Sequence, residues 1–157
     1  MLEVRPAGVD DITALVNLNR FVQDLHFMNV PQRFRPMDEK AVSGWFRSMM
    51  DIPDARAWIV ESMGSPVGYV LAVTYDRPEN PFCHRRLFCE IDHIAIAPAF
   101  RKKGLARALV ERVLGDALSR GIQDVELSSW CFNNEAHAAF DALGFRRQLV
   151  RFSRTIS

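Results

Sequence analysis

Few of the features that mark a specialised class of protein occur in this sequence of 157 residues. There are three cysteines, Cys83, Cys89 and Cys131, an odd set without a CxxC pair. That argues against a disulfide framework or a zinc site and points to reduced thiols in a cytoplasmic protein. No apolar run approaches the ~18 residues of a membrane-spanning helix, and the opening MLEVRPAGVDD does not read as a signal peptide. No membrane partner is expected. Charge of one sign is lacking too, since 20 Lys and Arg stand against 19 Asp and Glu for a net charge of +1. A general nucleic-acid binder carries a strong basic excess, so no nucleic-acid partner is expected either. Internal repeats and low-complexity linkers are absent, and the hydrophobic share of 48% is that of a packed protein. Residues 1–157 are therefore expected to form a single domain, long enough to bury roughly 68–70% of its unfolded surface without staples.

What is present is a clear succession of periodicities. Leu2, Val4 and Pro6 read as a first strand. Asp10 or Asp11 can cap a helix whose apolar face is Ile12, Leu15, Val16, Val22 and Leu25. After the proline-interrupted stretch FMNVPQRFRP, a second helix is expected from the cap Asp38, with Val42, Trp45, Phe46 and Met49 on one face. From Ala57 the pattern is β: Trp58 to Val60 and Val67 to Tyr75 flank a turn at Met63-Gly64-Ser65-Pro66, and Leu87 to Ile96 (LFCEIDHIAI) follows a polar connection. Leu105, Leu109, Val113 and Ala117 mark a third helix ended by Gly121, then come a short strand at Val125–Leu127 and a helix at Glu135–Leu143 stopped by Gly144. A last strand is expected at Leu149–Ile156. The order βααβββαβαβ predicts an α/β fold with a sheet of mixed direction.

Arg101-Lys102-Lys103-Gly104-Leu105-Ala106 lies between a strand and a helix, where free N–H groups and the positive helix end suit an anion such as a pyrophosphate. Gly104 and Ala106 allow close backbone approach. Three cations at a helix N-terminus oppose the helix dipole, at a cost of some tenths of a kcal/mol, which invites a functional reading. From charge alone, a solvated basic turn is an equal alternative. The Walker pattern GxxxxGK[ST] and the dinucleotide pattern GxGxxG are both missing.

The run RxxGxA at Arg101 to Ala106, after the strand ending Ile94-Ala95-Ile96-Ala97-Pro98, resembles the acetyl-CoA motif [QR]xxGx[GA] of the GCN5-related N-acetyltransferase (GNAT) superfamily. Asn133-x-x-Ala136-x-x-x-Phe140-x-x-x-Gly144-Phe145 resembles the NxxAxxxYxxxGF that follows in the same superfamily. With the element order, the resemblance covers nearly the whole chain. It implies a GNAT-like, mostly antiparallel sheet flanked by helices, and an acetyl-CoA-dependent N-acetyltransferase with acetyl-CoA as co-substrate and no metal. The alternative class is a CoA-responsive binding or regulatory module without chemistry.

Carried over residue by residue, the resemblance implies that the backbone of Ile94, Ala95 and Ile96 holds the pantetheine arm. Arg101, Lys102, Lys103, Gly104, Leu105 and Ala106, with Arg107 just inside the helix, would hold the pyrophosphate. Asn133 bonds the arm or caps the next helix, and a backbone N–H near Ile94 would face the oxyanion. Glu90 aligns with the glutamate base of the histone-acetylating members, which makes it the first choice of base, with Asp92 second. Independently, a carboxylate in a partly apolar strand has a raised pKa and can take a proton from an attacking ammonium. Strand alternation would set Glu90 and Asp92 on one face and His93 on the other. The sequence departs from the pattern at Phe140, where the superfamily often has a general-acid tyrosine; Phe140 can only pack on the cofactor. Tyr75, Ser129, Cys131 and His137 are the candidate replacements. The acceptor, a small-molecule or peptide amine, would be met by residues 23–34 and 76–86, and a homodimer is a possible assembly.

Overall fold

The computed structural model describes residues 1–157. Its elements are β1 (Leu2–Pro6), α1 (Ile12–Asn29), α2 (Glu39–Met50), β2 (Ala55–Ser62), β3 (Ser65–Arg77), β4 (Arg86–Ile96), α3 (Leu105–Ser119), β5 (Asp124–Leu127) and α4 (Asn134–Ala142), with single 3-10 turns at Val9–Asp11 and Pro98–Phe100. The strands lie in the order β1-β2-β3-β4-β5. The first three pairs are antiparallel and β4–β5 is parallel, as a strand–helix–strand crossing through α3 requires.

Local chemistry explains most of the boundaries. Asp38 caps α2 by accepting from the Ala41 N–H at 3.0 Å. Asp11, expected as a cap for α1, instead takes the Gly8 N–H and both ends of the Arg5 guanidinium. The β2–β3 hairpin turns through Met63 and Gly64 at φ 50 and 78, left-handed values that glycine supplies without strain. Each face of the sheet is covered. Trp58, Val70, Cys89, Ile91 and Ile96 pack with Leu105, Leu109 and Val113 of α3, whereas Ile59, Tyr69, Leu71 and Ala95 pack with Leu15 of α1 and Phe46 of α2.

Two features differ from expectation. The β3–β4 register steps from Leu71↔His93 to Ala72↔Ile91, so Asp92 has no partner and forms a bulge. An extra residue reverses the alternation beyond it. Cys89 and Ile91 share a core with Ile96 rather than with His93, and His93 lies on the face that carries Ala95, Tyr69 and, before the bulge, Glu90. Glu90 and His93, expected on opposite faces, therefore share one.

The strand expected at Leu149–Ile156 does not form. Leu149, Val150, Phe152 and Ile156 are 80%, 66%, 90% and 92% exposed. An alternating apolar segment becomes a strand only where an edge pairs with it, and nothing in the single chain does so here. The mixed α/β class stands, with one strand–helix–strand crossing at the C-terminal side instead of two.

Candidate active site

The parallel pairing of β4 with β5 runs from Phe88↔Asp124 to Ile91↔Leu127 and stops at the Asp92 bulge. From His93 to Ile96, β4 bonds β3 on one side and has no strand on the other. An extended molecule carrying amide groups can add to such an edge as a further strand would. Ile94, Ala95 and Ile96 lie along this open edge, and their side chains are half-buried or buried in the cores, leaving the backbone as the available surface.

At the end of that edge the chain makes the basic turn. Lys102 and Gly104 adopt φ 61 and 79, and Gly104 precedes α3 without any side-chain cap. The backbone N–H groups of Lys102, Lys103, Gly104, Leu105, Ala106 and Arg107 make no hydrogen bond within the chain. Orphan donors of this kind, converging at a positive helix end, form a concavity for an anion. Leu105 is buried, so only its backbone faces outward, while Ala106 is small and half-buried. The cations divide their work. Arg101 donates from Nε to the Ile96 carbonyl oxygen at 3.1 Å, and Arg107 reaches the Ala142 carbonyl at 3.3 Å and Glu111 at 3.7 Å, so both side chains brace the loop. Lys103 lies over the Phe100 ring at 5.4 Å, and Lys102 is exposed. Asn133 caps α4, accepting from the Ala136 N–H at 3.2 Å. Phe140 packs edge-on against Phe145 at 6.1 Å.

Where the β4–β5 pair ends, an acidic group collects. The Glu90 carboxyl is raised above its ordinary value by desolvation, then by Asp92 and Glu126, with Arg77 opposing. Asp92 is raised by desolvation. Tyr75 stacks on Phe88 with ring centroids 5.4 Å apart, and its phenol is raised by desolvation and by the Asp92 and Glu90 charges. The group can take a proton at Glu90 and keep a phenolic proton close by. Of the candidate donors, Tyr75 is brought to the carboxylates, whereas Cys131 is an exposed residue in the turn after β5.

His93 is satisfied in the core. Asn19 Nδ2 donates to the Tyr69 hydroxyl at 3.0 Å, leaving that hydroxyl to donate to His93 Nδ1 at 3.1 Å. Trp45 stacks on the imidazole at 5.1 Å. Burial, with His26 nearby, lowers the His93 pKa to about 4, so the ring is neutral at ordinary pH.

Residues of the 23–34 stretch form an aromatic wall with Trp130 and Phe132, which the sequence reading did not single out. His26 of α1 lies 4.7 Å from Phe34 and 6.4 Å from Phe132; Phe34 meets Trp130 at 5.5 Å, and Arg33 stands over Trp130 at 5.4 Å. The loop after α1 and the turn after β5 thus meet through Phe34 and Trp130. Next to the wall, Gln23, Arg33, Phe34, Arg35 and Met37 line a cleft of about 700 Å³. The aromatic pair in Trp130-Cys131-Phe132 was the available signal. It was passed over because aromatics in a turn have no periodicity. Glu126 was missed because it lies in a strand only four residues long.

Known proteins resemble this chain in sequence and in fold. The profile of the "Acetyltransferase (GNAT) family" matches residues 20–145. The mouse "N-acetyltransferase family 8 member 7" is 29% identical over 102 residues, 64% of this chain and 43% of that protein, so the chain spans less than half of that relative's length. A tetramutant of the Bacillus halodurans protein BH1408 superposes with TM-score 0.93 at 18% identity, covering 98% of this chain and 99% of its own. The aminoglycoside N-acetyltransferase AAC(6')-Iy in complex with CoA gives TM-score 0.80 at 17% identity over 99% of this chain and 95% of its own. These two likenesses are of fold. The profile, which spans most of the chain from α1 through the basic turn to Phe145, decides the assignment: the chain belongs to the acetyltransferase (GNAT) family.

Proposed function

We propose that this protein transfers an acetyl group from acetyl-CoA to a primary amine of a small molecule or peptide by direct attack within a ternary complex, with residues 1–157 carrying both binding halves. The observation that carries the reading is the alignment of three features: an open β4 edge, six unpaired N–H groups at its end, and a carboxylate of raised pKa where β4 and β5 part. Acetyl-CoA has a pyrophosphate, an amide-bearing arm and a reactive thioester in that order along its length, which is the order of the turn, the open edge and the carboxylate.

The open edge at Ile94, Ala95 and Ile96 holds the arm, and the turn from Arg101 to Arg107 holds the pyrophosphate through backbone donors, with Lys102 and Lys103 adding charge. The bound acetyl group then lies near Glu90. Most amines are ammonium ions at neutral pH. Glu90 accepts the proton, directly or through water, and the freed nitrogen attacks the thioester carbon. A backbone N–H near Ile94 stabilises the oxyanion; removing one such donor typically costs ~10²–10³ in rate. The C–S bond breaks, the departing thiolate takes a proton from Tyr75, which replaces the donor that Phe140 cannot be, and the nitrogen gives up its second proton, directly or through water, to restore the Tyr75 phenol. Asp92 supports the raised pKa of Glu90 and is the second candidate base. The aromatic wall and the cleft beside Arg33 and Arg35 receive the acceptor, in agreement with the expectation for residues 23–34 and extending it to Trp130 and Phe132.

A panel of amines tested with acetyl-CoA and detection of free thiol checks the reading. Thiol release that depends on an amine supports it. Tight acetyl-CoA binding without release on any amine contradicts it and favours a CoA-responsive binding module.

A further inference from the structure

The cleft beside the aromatic wall carries cations that the chain itself leaves unpaired. Arg33 and Arg35 line it, and Gln23 Nε2 donates to the Arg35 carbonyl oxygen at 2.6 Å, which holds the loop that bears both. Neither guanidinium has an ion-pair or hydrogen-bond partner in the chain, and Arg33 rests only over the Trp130 ring at 5.4 Å. The nearby acids at the start of α2 are already engaged. Asp38, the one acid lining the cleft, accepts the Ala41 N–H at 3.0 Å, and Glu39 pairs with Arg20. Two free guanidiniums in a concave site suit a carboxylate, which each can grip through paired N–H donors.

Between these cations and the candidate base stands the wall. Glu90 and His93 share a face of β4, and His26 is near enough to His93 to act on its charge. Phe34 is 4.7 Å from His26, and Arg33 and Arg35 flank Phe34 in the sequence. Carboxylate, rings and guanidiniums therefore follow one another in that order. Burial holds His26 below its ordinary pKa, so at neutral pH the wall presents flat apolar faces and not a third cation. An α-amino acid carries its amine and carboxylate on one carbon and cannot reach both ends. A polycationic amine meets like charge at the far end.

We propose that the acceptor is a primary amine with a carboxylate at the far end of a flat apolar body. The amine is directed to Glu90, the body lies along His26 and Phe34, and the carboxylate is held by Arg33 and Arg35. This names the acceptor class for the acetyl transfer described above and rests on that reading. The bond from the acetyl carbon to nitrogen forms, the C–S bond breaks and CoA leaves as the thiol, while the distal carboxylate stays ionised throughout.

Two probes of equal size test this, para-aminomethylbenzoate and its neutral amide para-aminomethylbenzamide, with phenylalanine as the α-amino acid. Thiol release should favour the benzoate over the amide by about 10- to 100-fold in kcat/KM, mostly through KM, as expected of charge-assisted bonds to arginine. Phenylalanine should be a poorer acceptor than the benzoate. In the double variant Arg33→Gln/Arg35→Gln, whose two sites are exposed and outside the core, the benzoate-to-amide ratio should fall to near one. Calorimetry of both probes on the CoA complex reads the same ratio without turnover. Failure of acetyl transfer and failure of the anion site are thereby distinguished. If no amine releases thiol, tighter binding of the benzoate that the double variant loses still supports the anion site, and the transfer reading alone falls. Equal handling of the two probes, binding of neither, a preference that survives the double substitution, or better use of phenylalanine overturns the proposal.

Discussion

Arg101 Nε donates to the Ile96 carbonyl oxygen at 3.1 Å, which ties the basic turn to the last residue of the open β4 edge. The cation expected to meet phosphate therefore also fixes the distance between the basic turn and the open edge. Arg101→Met keeps much of the side-chain volume and removes the bond. A charged donor bond is worth about 1.5–3 kcal/mol, so the KM for acetyl-CoA should rise by about tenfold or more, with a smaller change in kcat. Steady-state kinetics at saturating amine checks this.

Gly68 stands opposite Ile96 in the β3–β4 register. A Cβ there would lie 2.5 Å from Ile96 Cδ1 and 2.9 Å from the Ala95 carbonyl oxygen. The methyl end can turn aside, but the carbonyl lies on the β3 side of β4 and must shift, taking the open edge of β4 with it. Gly68→Ala should lower stability by about 1–3 kcal/mol, as overpacking does, and weaken acetyl-CoA binding as well. Urea unfolding and direct titration of acetyl-CoA measure the two effects separately.

The Tyr69 hydroxyl lies between Asn19 and His93, and all three sit in the α1 and α2 side of the core. Tyr69→Phe leaves Asn19, 7% exposed, without its partner and takes the donor from His93. The expected loss is about 1–3 kcal/mol of unfolding free energy, with acetyl-CoA affinity retained.

His93 also gives stability a pH dependence. Its folded pKa, about 4, lies below the ordinary 6.5, so the unfolded chain binds the proton first. The contribution is complete above 6.5, declines as pH falls through the interval to about 4, and changes no further below it. His93→Gln should flatten unfolding free energy across that interval, measured by denaturant titration at several pH values.

Much of this was legible in the chain, for reasons visible at particular residues. The helices announced themselves through repeats such as Leu105, Leu109 and Val113, which pack as one face against the sheet. RxxGxA marked the turn into α3 because Gly104, at φ 79, reports a backbone constraint directly. The bulge at Asp92 left no such trace, since it arises from the pairing of Leu71 and Ala72 with β4 and not from the local sequence of β4. That single unmatched residue moved His93 to the face of Glu90. The tail 149–156 shows the opposite failure, because its apolar pattern is real but its backbone pairs with no strand of the chain. The contact of Phe34 with Trp130 joins loops nearly a hundred residues apart, a separation that no local pattern reports.

Glu90 carries the chemical claim. Because desolvation, Asp92 and Glu126 raise its carboxyl, the wild-type kcat/KM for the amine should fall on the acid side at a pH above the ordinary 4.5 of a glutamate. The most direct measurement is the pH profile of amine-dependent thiol release by Glu90→Gln, with acetyl-CoA affinity determined on the same protein. The account predicts a loss of about 10²–10⁴ in rate, disappearance of that acid limb and unchanged acetyl-CoA affinity. A Glu90→Gln enzyme that keeps the wild-type rate and the wild-type limb contradicts it.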